Sequence, residues 1–194
     1  MKLVELEHHP ADFTLPSSSV LHRLQRLRSR RGAVAVGPLR LAPRGLLLNR
    51  FDLVDDEVAY FAESCATAVY ETLARREATS LSMSTVAGRV LLTLQTTAPL
   101  HLLDLRFRAG AWPVLQSLRY AETQELAQEA RAAGYDGIIY RSAQQHGSDC
   151  VVLFGVDAMR CVKLVSKLPL ASPTGALHRA AAEAIRRAKI PLTP

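Results

Sequence analysis

The stretch "NRFDLVDDEVAYFAESCATAVYETL", residues 49–73, decides how the fold is read. At its centre VAYFA, residues 58–62, is a short apolar and aromatic run that is predicted as a strand. Ser64 stands where a helix N-cap belongs. CATAVYETLARRE, residues 65–77, follows as a helix with Ala68, Val69, Thr72 and Leu73 at helical spacing. Three polar residues punctuate this strand-then-helix unit: Arg50, then Tyr60, then Glu71.

Outward from this unit the pattern is uneven. The first sixteen residues read as a loose lead-in broken by Pro10 and Pro16. Periodicity leaves residues 17–32 open between a short helix capped by the serines and a strand at VLHRL. Residues 33–51 are strand-like or loop pieces punctuated by Gly37, Pro38, Pro43 and Gly45. Residues 88–105 hold two β-like runs separated by Pro99. Residues 122–134 have the composition of a strong helix and close on Gly134, a residue suited to a helix C-terminus. YDGIIYRS and DCVVLFG are predicted strands joined by a loop at AQQHGS, and MRCVKLVSKL is a candidate last strand. A basic helix at residues 175–190 follows the linker-like PLASPT. Strands and helices do not alternate regularly. The expected class is therefore α+β with an antiparallel or mixed sheet, rather than a doubly wound fold. Neither GxGxxG nor GxxxxGK[ST] is present.

The chain has 194 residues, the size of one globular domain, and 48% apolar residues, enough for a core. The net charge of +6 is concentrated. Residues 13–51 contain no acid but include Arg23, Arg26, Arg28, Arg30, Arg31, Arg40, Arg44 and Arg50. A field of this kind attracts nucleic acid, phosphorylated small molecules or an acidic partner, or else it is a solvated basic surface. Cys65, Cys150 and Cys161 have neither zinc nor disulfide-framework spacing. His8, His9, His22, His101, His146 and His178 form no ligand-spaced pair. The N-terminus lacks the pattern of a signal peptide, and no apolar run is long enough to span a bilayer. A cytoplasmic location is the expectation.

Individually the polar residues are ambiguous. Glu71 reads either as a partly desolvated catalytic carboxylate or as a solvent-facing partner of Arg75 at i,i+4. Arg50 offers a planar fork for a phosphate or carboxylate, or is one more surface arginine. Ser142 ends the strand GIIYRS, where a hydroxyl can meet a ligand, and a serine there is also commonplace. Spacing alone favours the surface readings.

Taken together, the residues resemble the RES domain, a family named for its arginine, glutamate and serine. The likeness rests on NRF with Arg50, AYFA with Tyr60, ATAVYE with Glu71, YDGIIYRS with Ser142, and CVVLF ending at Phe154. It spans roughly residues 20–155. Arg23 in VLHRL is the counterpart of the family's first arginine. Asn49 stands where glycine is common, and Asp52 where asparagine or a similar residue is frequent. The resemblance implies a single domain resembling the diphtheria-toxin-like ADP-ribosyltransferases, with a mixed or antiparallel split sheet flanked by helices. It divides the chain into a lead-in (1–19), an NAD⁺-cleaving domain (20–165), and a C-terminal linker and basic helix (166–194) packed on that domain. It implies a toxin that cleaves the nicotinamide–ribose bond of NAD⁺, using phosphate or water as acceptor, without a metal. An Xre-type antitoxin is the implied partner, with no membrane and with nucleic acid reached at most through the antitoxin. Arg50, Tyr60 and Glu71 become the catalytic candidates. Arg23, Arg50, Tyr60 and Ser142 become the NAD⁺-binding ones. Transfer of ADP-ribose to a protein is the same-chemistry alternative. A basic nucleic-acid-binding module is the alternative from another class, although it lacks a recognised motif and has few aromatic residues for base stacking.

Overall fold

The computed structural model describes residues 2–6, 11–29, 31–108 and 110–194. His8, His9 and Arg30 lie outside them. A 3₁₀ turn at Leu3–Leu6 leads to β1 (Ala11–Leu15), β2 (Val20–Arg26), β3 (Val34–Val36), β4 (Leu39–Leu41) and β5 (Val58–Ala62). Then come α1 (Cys65–Thr72), β6 (Leu81–Ser82), α2 (Met83–Ala87), β7 (Arg89–Thr96) and β8 (Leu100–Asp104). A second 3₁₀ turn (Pro113–Gln116) precedes α3 (Tyr120–Ala132), β9 (Gly137–Arg141), β10 (Asp149–Phe154) and α4 (Gly155–Arg160). The chain closes with β11 (Val162–Pro169), α5 (Arg179–Ala188) and β12 (Leu192–Thr193).

Eight strands form one sheet in the order β1-β8-β9-β10-β5-β2-β7-β11. All neighbours are antiparallel except β8 and β9. The α+β class with a mixed sheet is thus the observed one. The sheet nearly divides between β5 and β2. Those strands pair at His22↔Ala62 alone among the described residues, whereas β2 follows β7 from Val20↔Gln95 to Arg26↔Arg89. This splayed seam is where the cleft described below opens.

Both faces of the sheet are covered. On one face Phe51, Ala62, Ile138, Tyr140, Val152 and Phe154 pack with residues of α1, α3 and α5. On the other, Ala59, Phe61, Ile139, Val151 and Leu153 pack with the β3–β4 hairpin and α4. Two-sided burial explains why VAYFA and CVVLF do not alternate apolar with charged residues. The period-2 pleat also sends Tyr60 to the α1 side and Phe61 to the other.

Several expectations are corrected. The lead-in is not loose throughout, because β1 pairs with β8 from Ala11↔Asp104 to Leu15↔Leu100. Residues 17–32, open between helix and strand in the sequence, hold the strand at Val20–Arg26, zipped along β7. The helix after Ser64 ends at Thr72 and not at residue 77; the Arg76 N–H donates to the Gln144 side chain instead of continuing the helix. The N-cap is as expected, with Ser64 Oγ accepting from Thr67 N–H at 3.1 Å. The C-terminal helix packs on α1 through Ala181, Ala184 and Ile185 while Arg179, Arg186 and Arg187 stay exposed. No helix among the described residues is long and apolar enough to cross a membrane.

Candidate active site

At the seam between β2 and β5 lies a cleft of about 290 Å³. Arg23, Arg50, Tyr60 and Glu71 all line it. Ser142 sits just behind, at 3% exposure, bonded to Glu71. Elements far apart in sequence therefore bring all five candidate residues to one place.

Glu71 is half-buried in the last turn of α1. Its Oε1 accepts the Ser142 hydroxyl and the Gln144 N–H, the latter at 3.3 Å. Ser142 Oγ in turn accepts from Gln144 N–H at 3.1 Å and Gln145 N–H at 2.8 Å. The turn after β9 thus fixes one carboxylate oxygen, Oε1, through both contacts. The surface pairing with Arg75 does not form. Arg75 pairs with Glu77 at 2.7 Å and reaches the Tyr120 hydroxyl at 3.3 Å.

Tyr60 is a tether as well as a ring. Its hydroxyl donates to Asp52 Oδ1 and accepts from Phe51 N–H, both at 2.9 Å. Burial and the Asp52 carboxylate push its ionisation well above the ordinary value, so the phenol stays protonated. Asp52 also accepts from Asn49 N–H at 2.8 Å, which makes it the organiser of the 49–52 turn. From the other side, Thr123 and Gln124 on α3 donate to the carbonyls of Arg50 and Asn49.

The two arginines are more engaged than a free anion clamp would be. Arg50 Nη1 donates to the Leu115 carbonyl at 2.6 Å and the Ser117 carbonyl at 2.7 Å. Its Nη2 makes one bond of 3.4 Å, to Gln116, so that end keeps donor capacity. The guanidinium also lies 5.6 Å from the Tyr120 ring centroid. Arg23 bridges the splayed seam, donating to the Tyr60 carbonyl at 2.8 Å and the Arg40 carbonyl at 3.2 Å. Its Nε is buried without a partner, and burial lowers its pKa to about 10. Both arginines still place positive charge on the cleft wall.

Sequence reasoning did not single out Tyr120, Tyr140, Arg75 or Gln144 as cleft residues. Tyr140 packs edge-on against Phe51, with ring centroids 4.9 Å apart. Its place two residues before Ser142, with the same side-chain parity, was the available signal. His22 lines the cleft at the one point where β2 and β5 meet, its Nδ1 3.3 Å from Cys65 Sγ. Burial lowers its pKa.

The arrangement offers one carboxylate held by a hydroxyl, tyrosine rings on the walls, and arginine charges around the rim. That is suited to a planar cation joined to a sugar and to phosphate.

No curated protein matches the chain. Among solved structures, a chain of the crystal structure of the M. tuberculosis MbcT–MbcA toxin–antitoxin complex is similar, with TM-score 0.60 at 16% identity. The match covers 81% of this chain and 86% of that one, and it shows a shared fold. The RES domain model matches residues 20–184, from β2 into α5. The chain belongs to the RES domain family.

Proposed function

We propose that the cleft binds NAD⁺ and breaks its nicotinamide–ribose bond, passing ADP-ribose to phosphate or water. The observation that carries this reading is the convergence of Glu71, Ser142 and Tyr60 on one cleft in a chain of the RES family. As the C1–N bond breaks, its electron pair leaves with nicotinamide and positive charge builds on the ribose carbon. The Glu71 carboxylate stabilises that charge. Ser142 holds Oε1, which leaves Oε2 for a ribose hydroxyl. The Tyr60 ring stacks on the nicotinamide, which is cationic until the bond breaks. An oxygen of phosphate or water then forms the new bond to C1. Arg23 and the Nη2 end of Arg50 favour the anionic parts of substrate and acceptor.

The biological role that follows is a toxin that drains NAD⁺, restrained by an antitoxin of the Xre type. The similar fold found in a toxin–antitoxin complex supports a partner of this kind. Residues 20–165 carry the reaction in this reading, with the C-terminal helix packed on them.

The test is release of nicotinamide from NAD⁺ by the purified protein, with and without inorganic phosphate. Faster release with phosphate, and a phosphorylated ADP-ribose product, identifies a phosphorylase. Equal rates identify a glycohydrolase. Label from NAD⁺ retained on a lysate protein would identify transfer to a protein instead.

A further inference from the structure

A second cavity of about 190 Å³ adjoins the first. Arg23 and Leu24 line both, so the two are neighbours along the part of β2 that has parted from β5. The main cleft alone lies at the lower end of the roughly 300–1,000 Å³ usual for small-molecule sites, and the pair falls inside that range.

The second cavity has its own chemistry. Arg26, Arg28, Arg40 and Arg89 line it together with Arg23, and no carboxylate among the described residues does so. Arg26 and Arg28 are exposed and have no ion-pair partner among the described residues. Arg40 Nη1 is anchored on the Gly37 and Leu39 carbonyls, at 3.2 and 3.1 Å, which holds its charge at the hairpin. Arg26 lies directly opposite Arg89 in the β2–β7 ladder, which places both basic side chains at the same end of the cavity. Leu41, Pro43 and Leu46 supply an apolar wall beside these charges, suited to a flat base.

The geometry points to this second cavity as the seat of the adenylate half of the dinucleotide, with Arg23 at the junction where the diphosphate crosses. This rests on the NAD⁺ reading of the main cleft and adds a determinant to it. Arg26 and Arg28 lie outside the cleft where the bond breaks, so their charges govern binding of the whole dinucleotide and not the chemical step. Exposed charges are screened by salt, and the effect is therefore largest at low ionic strength.

The experiment uses the full chain and the double variant Arg26→Glu/Arg28→Glu, with folding checked by circular dichroism. ADP is titrated calorimetrically, and nicotinamide release is followed from NAD⁺ and from nicotinamide mononucleotide, which lacks the adenylate. The expected result is ADP binding to the wild type, weakened roughly tenfold or more in the variant. KM for NAD⁺ rises by a similar factor with kcat kept, and turnover of the mononucleotide is unchanged. Equal ADP affinity in both proteins overturns the inference. So does a wild type that binds no ADP, including one that binds a single-stranded oligonucleotide there instead. A wild type that releases no nicotinamide from either substrate removes the NAD⁺ reading, and the ADP titration then still decides what the cavity binds.

Discussion

Ser142 donates its hydroxyl to Oε1 of Glu71, joining the end of β9 to the last turn of α1 across 71 positions of sequence. The same hydroxyl oxygen accepts two backbone N–H groups of the following turn. One side chain thus sets both the loop and the carboxylate.

Ser142→Ala removes that link, leaves the Gln145 N–H without its acceptor and leaves the Gln144 N–H with only its longer bond to Glu71. The expected stability loss is about 1–3 kcal/mol by thermal or urea unfolding. Nicotinamide release measured well below the melting temperature should fall roughly 10- to 100-fold, mainly in kcat, because Glu71 is no longer oriented. Unchanged kcat would reduce Ser142 to a loop residue.

Tyr60→Phe keeps the ring and removes the tether on Phe51 and Asp52. The stacking surface survives while the 49–52 turn loosens. Stability should drop by about 1–3 kcal/mol, and KM for NAD⁺ should rise more than kcat falls. A Tyr60→Ala protein loses the ring too and should lose kcat as well.

Arg50→Lys tests whether a charge at this position suffices. Lysine has no planar fork, so it cannot serve the Leu115, Gln116 and Ser117 carbonyls together. Arg50 is 9% exposed, and stranding buried carbonyls should cost about 2–4 kcal/mol. A lowered melting temperature should accompany the loss of activity in both Arg50→Lys and Arg50→Ala.

His22 gives a pH dependence. Burial lowers its pKa below the ordinary 6.5, so the folded protein holds the ring neutral where the unfolded chain would protonate it. The unfolded state then binds more protons, and stability falls as pH drops through 6.5 toward the lowered folded value. Above 6.5 the contribution of His22 is fully present. The melting temperature of His22→Gln should decline less than that of the wild type over this acidic window. Parallel curves would show that His22 is not responsible.

Much of the central unit was legible because its signals are local. VAYFA is a strand at the residues expected, and Ser64 is the cap. The path of residues 17–32 was not legible, since the pairing of β2 with β7 is a contact across about seventy positions that no short window contains. Helix α4 was hidden by its six-residue length and by Phe154, which offers no side-chain cap. The site was half visible. Family spacing pointed to Arg50, Tyr60, Glu71 and Ser142, but not to what their donors do. Arg50 braces the 113–117 turn across more than sixty positions, and the Tyr60–Asp52 bond shapes the loop that carries it, contacts that leave no local pattern. Tyr120 and Arg75 were missed because a cleft wall gathers from separate elements and leaves no periodic trace.

The most direct measurement is the rate of nicotinamide release from NAD⁺ by the wild type and by Glu71→Gln, which keeps the shape and hydrogen-bonding reach of the side chain without its charge. The expected result is clear release by the wild type and a rate lower by roughly 10²- to 10⁴-fold in the variant, with an unchanged melting curve. Release at the same rate by both proteins, or by neither, would contradict the assignment of this cleft as an NAD⁺-cleaving site.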